Sequence, residues 1–144
     1  MNHEIQRETA IWTKELHEEL PLLSKKLHPL SEENGIETIE LLTELLRFLK
    51  LVSLVRHPIT PSYLVDMAWH EFILFTKKYT AFCEEKLGRY IHHTPDDDTK
   101  KNSNRFQQTI RYYILYFGEP SADIWGKEAN KEWMLSNCGS CSTN

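Results

Sequence analysis

The stretch PSYLVDMAWHEFILFTKKYTAFCEEKLG, Pro61 to Gly88, decides how the chain reads. Placed on a helical wheel, it separates into two populations. Val65, Ala68, Trp69, Phe72, Phe75, Thr76, Tyr79, Phe82, Cys83 and Leu87 share one apolar side, and Asp66, His70, Glu71, Lys77, Lys78, Glu84 and Glu85 share the other. The seam Val65, Trp69, Phe72, Thr76, Tyr79, Cys83 has the three-four spacing of a packed helix interface. Thr60-Pro61 suits a helix start and Gly88 suits a C-terminal cap, which predicts one helix from about Pro61 to Leu87.

The same period runs outward in both directions. Ile5, Trp12, Leu16, Leu20, Leu23 and Leu27 form a first stripe, and Pro21 should kink or split that helix near Leu20. Asn34-Gly35 marks a turn. Beyond it, Ile36, Ile39, Leu42, Leu46, Leu49 and Val52, widened by Leu41, Leu45, Phe48 and Leu51, predict a helix at the centre of a bundle. Residues 88–101 have loop composition, and helices follow over about Asn102–Phe117 and Lys127–Leu135. The expectation is an all-α, single-domain bundle of about five helices: a helical domain over residues 1–135 and a polar Cys-x-x-Cys tail over 136–144.

Composition narrows the function. At 144 residues with 11% aromatics, the chain can bury a core without staples. A net charge of -4 argues against a nucleic-acid footprint, and the cluster Lys100, Lys101, Arg105 follows directly on Asp96, Asp97 and Asp98. The longest apolar run, Leu41 to Val55, is broken by Glu44, Arg47 and Lys50, so no membrane span is expected. The N-terminal sequence has no apolar signal core, and a cytoplasmic location is the expectation. Three cysteines then suggest free thiols or metal ligands rather than disulfides.

Two sets of residues carry chemistry. His70 follows Asp66 by four positions on one face, where a carboxylate can fix an imidazole tautomer for metal ligation or general-base work. The same spacing also occurs as a plain surface pair worth about 0.2–0.5 kcal/mol. The second set is Cys83, His92, His93, Cys138 and Cys141, thiolates and imidazoles that suit zinc. Its plain alternative makes Cys83 a small buried apolar residue and the other cysteines part of a tail. On a continuous helix His70 lies about 26 Å from Leu87, and five further residues span at most about 18 Å, so His70 and His92 should not share an ion unless the helix breaks. Cys83 lies about 6 Å from Leu87 on that scale, within reach of His92 or His93. Only one of the adjacent histidines should face any given metal.

The spacing Trp69-His70, Tyr79, Cys83, Gly88, then His92-His93-Thr94-Pro95, resembles the glycine-rich domain-containing protein-like family, in its bacterial form, over about Val65 to Pro95. The resemblance implies an all-helical fold and no established reaction. It departs from many members in having Phe72 where they carry a second His, which removes one candidate ligand beside His70.

The expected function is a helical binding or scaffold domain holding a structural zinc ion through the Cys/His set. The enzyme alternative is a metal-dependent hydrolase using Asp66 and His70, which requires both to line a concave pocket. No Gly-rich phosphate loop, GxSxG elbow or HExxH helix supports an enzyme. A third alternative is an interaction module without metal, motivated by Leu74 among charges and naming no particular protein partner.

Overall fold

The computed structural model describes residues 2–95 and 97–142, with side chains described as far as Ser136. Eight helices form among the described residues: α1 His3–Glu19, α2 Pro21–Glu33, α3 Thr38–Leu54, α4 Tyr63–Ile73, α5 Thr76–Phe82, α6 Thr99–Phe117, α7 Ala122–Trp125 and α8 Lys127–Ser142. A π turn, Cys83–Leu87, extends α5. No strand occurs among the described residues. The all-α class therefore holds, while the expected five helices become eight.

Each added helix has a local cause. Pro21 opens α2 with Leu20 as the joint, as its missing amide and fixed φ require. Ala122–Trp125 is a short helix between Gly118 and Gly126, both at positive φ. The expected Pro61–Leu87 helix is divided at Leu74 and Phe75, where Phe75 leaves helical geometry with ψ 67. A straight helix over that span would be about 40 Å long, more than the roughly 30 Å width of a small domain. Bending lets both halves pack inward, and Phe72 packs edge-to-face with Tyr79 and Phe82, the ring centroids 5.0 Å and 5.5 Å apart. Thr76, expected in the buried seam, is exposed at the start of α5, and Leu74 stands 73% exposed at the joint.

Helix α3 is the centre, as its double-width apolar stripe requires: it packs on α1, α2, α4 and α6, with Leu41, Leu45, Phe48, Leu49 and Leu51 fully buried. Among these apolar side chains sits a buried carboxylate that looked like an interruption in the sequence. Glu44 Oε1 accepts from the Tyr113 hydroxyl and from Trp125 Nε1 at 2.9 Å, and Oε2 accepts from Arg47 at 3.1 Å. Arg47 also donates to the Tyr113 oxygen at 2.8 Å and lies over the Phe117 ring. Residues of α3, α6 and α7 are thereby held to one carboxyl group.

Helix α4 starts later than Thr60-Pro61 suggested. Ser62 is the N-cap, its hydroxyl accepting from Val65 N at 3.3 Å. Thr60 lies instead in an extended connection pinned to α6, where the Thr109 hydroxyl donates to its carbonyl at 2.7 Å and accepts from its amide at 3.1 Å. At the other end, Gly88 has φ +82 and closes the π turn. That geometry strains any residue with a Cβ, although space around the position is open. Gly88→Ala should therefore cost about 1–2 kcal/mol from backbone strain alone. Urea unfolding that shows no loss would refute this.

Candidate functional site

The bend between α4 and α5 builds the site. On a straight helix, ten residues place Trp69 and Tyr79 about 15 Å apart along the axis. In the folded chain Trp69 Nε1 donates to the Tyr79 hydroxyl at 2.9 Å, and that hydroxyl donates to the Ile91 carbonyl at 2.6 Å. Cys83 is wholly buried against the same anchor, beside Tyr79 and the Ile91 backbone. Burial pushes the Cys83 thiol and the Tyr79 phenol above their ordinary ranges, so both remain protonated donors. This anchor holds the returning loop at Ile91, and the loop turns back along α4 rather than away from it.

Two residues further on, His93 meets the helix. Its Nε2 lies 2.6 Å from Asp66 Oδ1, and its ring sits edge-on to Trp69 with centroids 4.3 Å apart. His70 Nε2 lies 3.8 Å from Asp66 Oδ2, and the two imidazoles are 4.4 Å apart between centroids. One ligand atom from each of Asp66, His70 and His93 falls within 4.8 Å of the others. Asp66 and His70 share a face of α4, being four residues apart, and the anchored loop supplies the third donor.

These residues lie along a cleft of about 620 Å³. Its walls are the end of α3 at Val52, the Pro58–Ser62 connection, the start of α4, the His92–Pro95 loop, and Asn102 and Arg105 of α6. His93 is the most enclosed of the three donors, its side chain 13% exposed against 33% for Asp66 and 46% for His70. A partly shielded cluster at the wall of an open cleft is reachable by a small ligand and less screened than a flat surface pair.

The arrangement regroups the residues singled out in the sequence. His93 joins Asp66 and His70; the distance argument that set His70 apart from the His92 end of the loop assumed an unbroken helix, and the helix is divided at Leu74 and Phe75. His92 is exposed, with its ring 4.6 Å from that of Tyr90, while His93 turns inward. Cys83 is engaged with Tyr79 and Ile91 and does not belong to the Asp66, His70, His93 group found among the described residues. Cys138 and Cys141 lie outside the residues whose side chains are described. Trp69 and Tyr79, read in the sequence only as packing residues, also tie the loop that delivers His93.

A family model, UCP032817-like, matches residues 6–130. The chain belongs to the UCP032817-like family. That finding replaces the resemblance to the glycine-rich domain-containing protein-like family. The residues that carried the resemblance have structural work of their own in this UCP032817-like chain: Trp69, Tyr79 and Cys83 form the loop anchor, and Gly88 closes the π turn. No curated protein and no solved structure matches the chain. No described helix of this family member is long and apolar enough to cross a membrane.

Proposed function

We propose that the protein is a binding domain that holds a divalent transition-metal ion through Asp66, His70 and His93 and presents it to the adjoining cleft. The observation that carries this reading is the convergence of three donor atoms within 4.8 Å. Metal bonds of about 2.0–2.2 Å to nitrogen and oxygen put tetrahedral ligand atoms roughly 3.3 Å apart. The Asp66 carboxylate meets His93 through Oδ1 at 2.6 Å and His70 through Oδ2 at 3.8 Å, so both imidazoles already stand beside the third ligand group. Two imidazoles and a carboxylate suit zinc, and three protein ligands leave a position open, as in sites that bind or activate a further molecule. A hydrolytic use of that position, by lowering the pKa of a bound water, is the second reading, favoured by the concave surface that both Asp66 and His70 line. This moves the proposed ion from the Cys/His set to the cleft.

The test separates the two ligand sets. Purified full-length protein should carry or take up close to one zinc per chain by elemental analysis. His70→Ala and His93→Ala should each weaken binding by about 100-fold or more, because loss of a supporting group alone costs 10- to 100-fold. Replacing Cys83, Cys138 and Cys141 with Ser should leave metal content unchanged. Retention of metal by His93→Ala together with its loss in the cysteine variant would overturn the assignment, as would failure of the wild type to take up zinc.

A further inference from the structure

We infer that the ion held by Asp66, His70 and His93 is six-coordinate iron(II), and that the cleft takes a small molecule that chelates it through two oxygens, of the α-oxo acid or hydroxamate kind. The inference rests on the metal reading above and adds the geometry of the ion and the class of ligand. Two imidazoles and one carboxylate that leave neighbouring positions open are the donor set of mononuclear iron(II) sites. The donor spacing admits that geometry: at bonds of about 2.1 Å, neighbouring donors lie about 3.0 Å apart on an octahedron, only slightly closer than on a tetrahedron. What separates the two is how many positions are left over and where they face.

The three donors come from one side. Asp66 and His70 stand on one face of α4, and His93 comes from the loop that lies against it, packed on the ring of Trp69. A set that approaches from one side occupies one face of an octahedron, which leaves the opposite face to the cleft of about 620 Å³. Among the described lining residues, the only other imidazole, thiol or carboxylate is His92, whose ring lies 4.6 Å from that of Tyr90 and which falls outside the three-donor group. No described side chain of that kind takes a fourth position. Neighbouring open positions suit a five-membered chelate, because the first oxygen to bind holds the second at high effective concentration. The cleft wall mixes Pro58, Ile59 and Pro61 with the hydroxyl-bearing Thr60, Ser62 and Tyr63, so it favours neither a purely apolar nor a purely charged body. Selection therefore falls on the metal-binding end of the ligand. Affinity for nitrogen and oxygen donors does not by itself choose among divalent ions, so zinc uptake reports the donor set and iron(II) is a separate question.

The experiment uses the full-length protein loaded with cobalt(II), whose visible absorption is intense in a tetrahedral site and weak in a six-coordinate one. The loaded protein should show the weak pattern. Acetohydroxamate is then titrated, with acetamide and acetate as counterparts that cannot close a five-membered ring. Acetohydroxamate should shift the cobalt bands with the ion retained on the chain, and bind about tenfold or more tightly than either counterpart. Iron(II) supplied without oxygen should bind at close to one ion per chain in the wild type and be lost in His93→Ala. Intense tetrahedral bands, removal of cobalt by acetohydroxamate, equal affinity for the counterparts, or a wild type that takes up zinc but not iron(II) would overturn the inference and leave the metal reading standing. Absence of uptake of zinc, cobalt and iron(II) alike would overturn both.

Discussion

Glu44→Ala is expected to lower the unfolding free energy by about 3–5 kcal/mol, the usual cost of removing one partner from a buried ion pair. The size follows from what is left behind. Arg47 would remain partly buried without its carboxylate, and the Tyr113 hydroxyl and the Trp125 indole would lose their acceptor. Glu44→Gln should be milder, because an amide oxygen still accepts from Tyr113 and Trp125. The two variants differ further in their pH dependence. Burial raises the Glu44 carboxyl above its ordinary range, opposed by Arg47 and by the donors Tyr113 and Trp125. A group whose folded pKa exceeds its unfolded value favours folding most below the unfolded pKa, about 4.3 for Glu, and that contribution fades as pH rises through the folded value. The stability of wild type relative to Glu44→Gln should therefore decline from acid towards neutral pH. Denaturant titrations of both proteins between about pH 4 and 7 measure it; a difference that grows with pH would reverse the sign and refute the buried-carboxylate account.

This network was invisible in the sequence for a definite reason. Glu44 and Arg47 read as ordinary charges interrupting an apolar run, and the residues that satisfy Glu44 lie 69 and 81 positions away. Local chemistry was far more legible. Pro21, Asn34-Gly35, Gly88 and Gly118 mark the ends of elements, because each imposes or permits a backbone state in its own vicinity. The bend at Leu74 and Phe75 left no such mark, since no Pro or Gly lies between Pro61 and Gly88. It is set by tertiary packing and by the Trp69–Tyr79 hydrogen bond. The effect reaches the site: spacing along α4 brings Asp66 and His70 together, whereas His93 meets them only because the chain folds back after the bend. A Tyr ten residues after a Trp on a suspiciously long helix was the available signal. Once those two side chains bond, the helix must fold back.

Tyr79→Phe tests that chain of dependence and should change metal binding without touching any metal ligand. The substitution keeps the ring that packs on Phe72 and removes only the oxygen between Trp69 and Ile91. Two buried groups, an indole N–H and a carbonyl, then lose their partner, which predicts about 2–3 kcal/mol of lost stability. The functional consequence is separate. With Ile91 held on this side only through Cys83 and the Trp69 ring free to rotate away from His93, the loop should hold His93 less firmly against Asp66. Loss of a group that orients a ligand typically costs 10- to 100-fold in metal affinity, and that is the range expected here for cobalt or zinc. Destabilisation alone could be blamed for such a loss, so Glu44→Gln supplies the control, because it perturbs a buried network outside the residues that line the cleft. In matched titrations under conditions where both variants are folded, Tyr79→Phe should bind metal weakly and Glu44→Gln as the wild type does. Equal losses in the two would make Tyr79 a stabilising residue only; unchanged affinity in Tyr79→Phe would mean that the Asp66–His93 contact holds the loop by itself, and that the tyrosine serves the fold rather than the site.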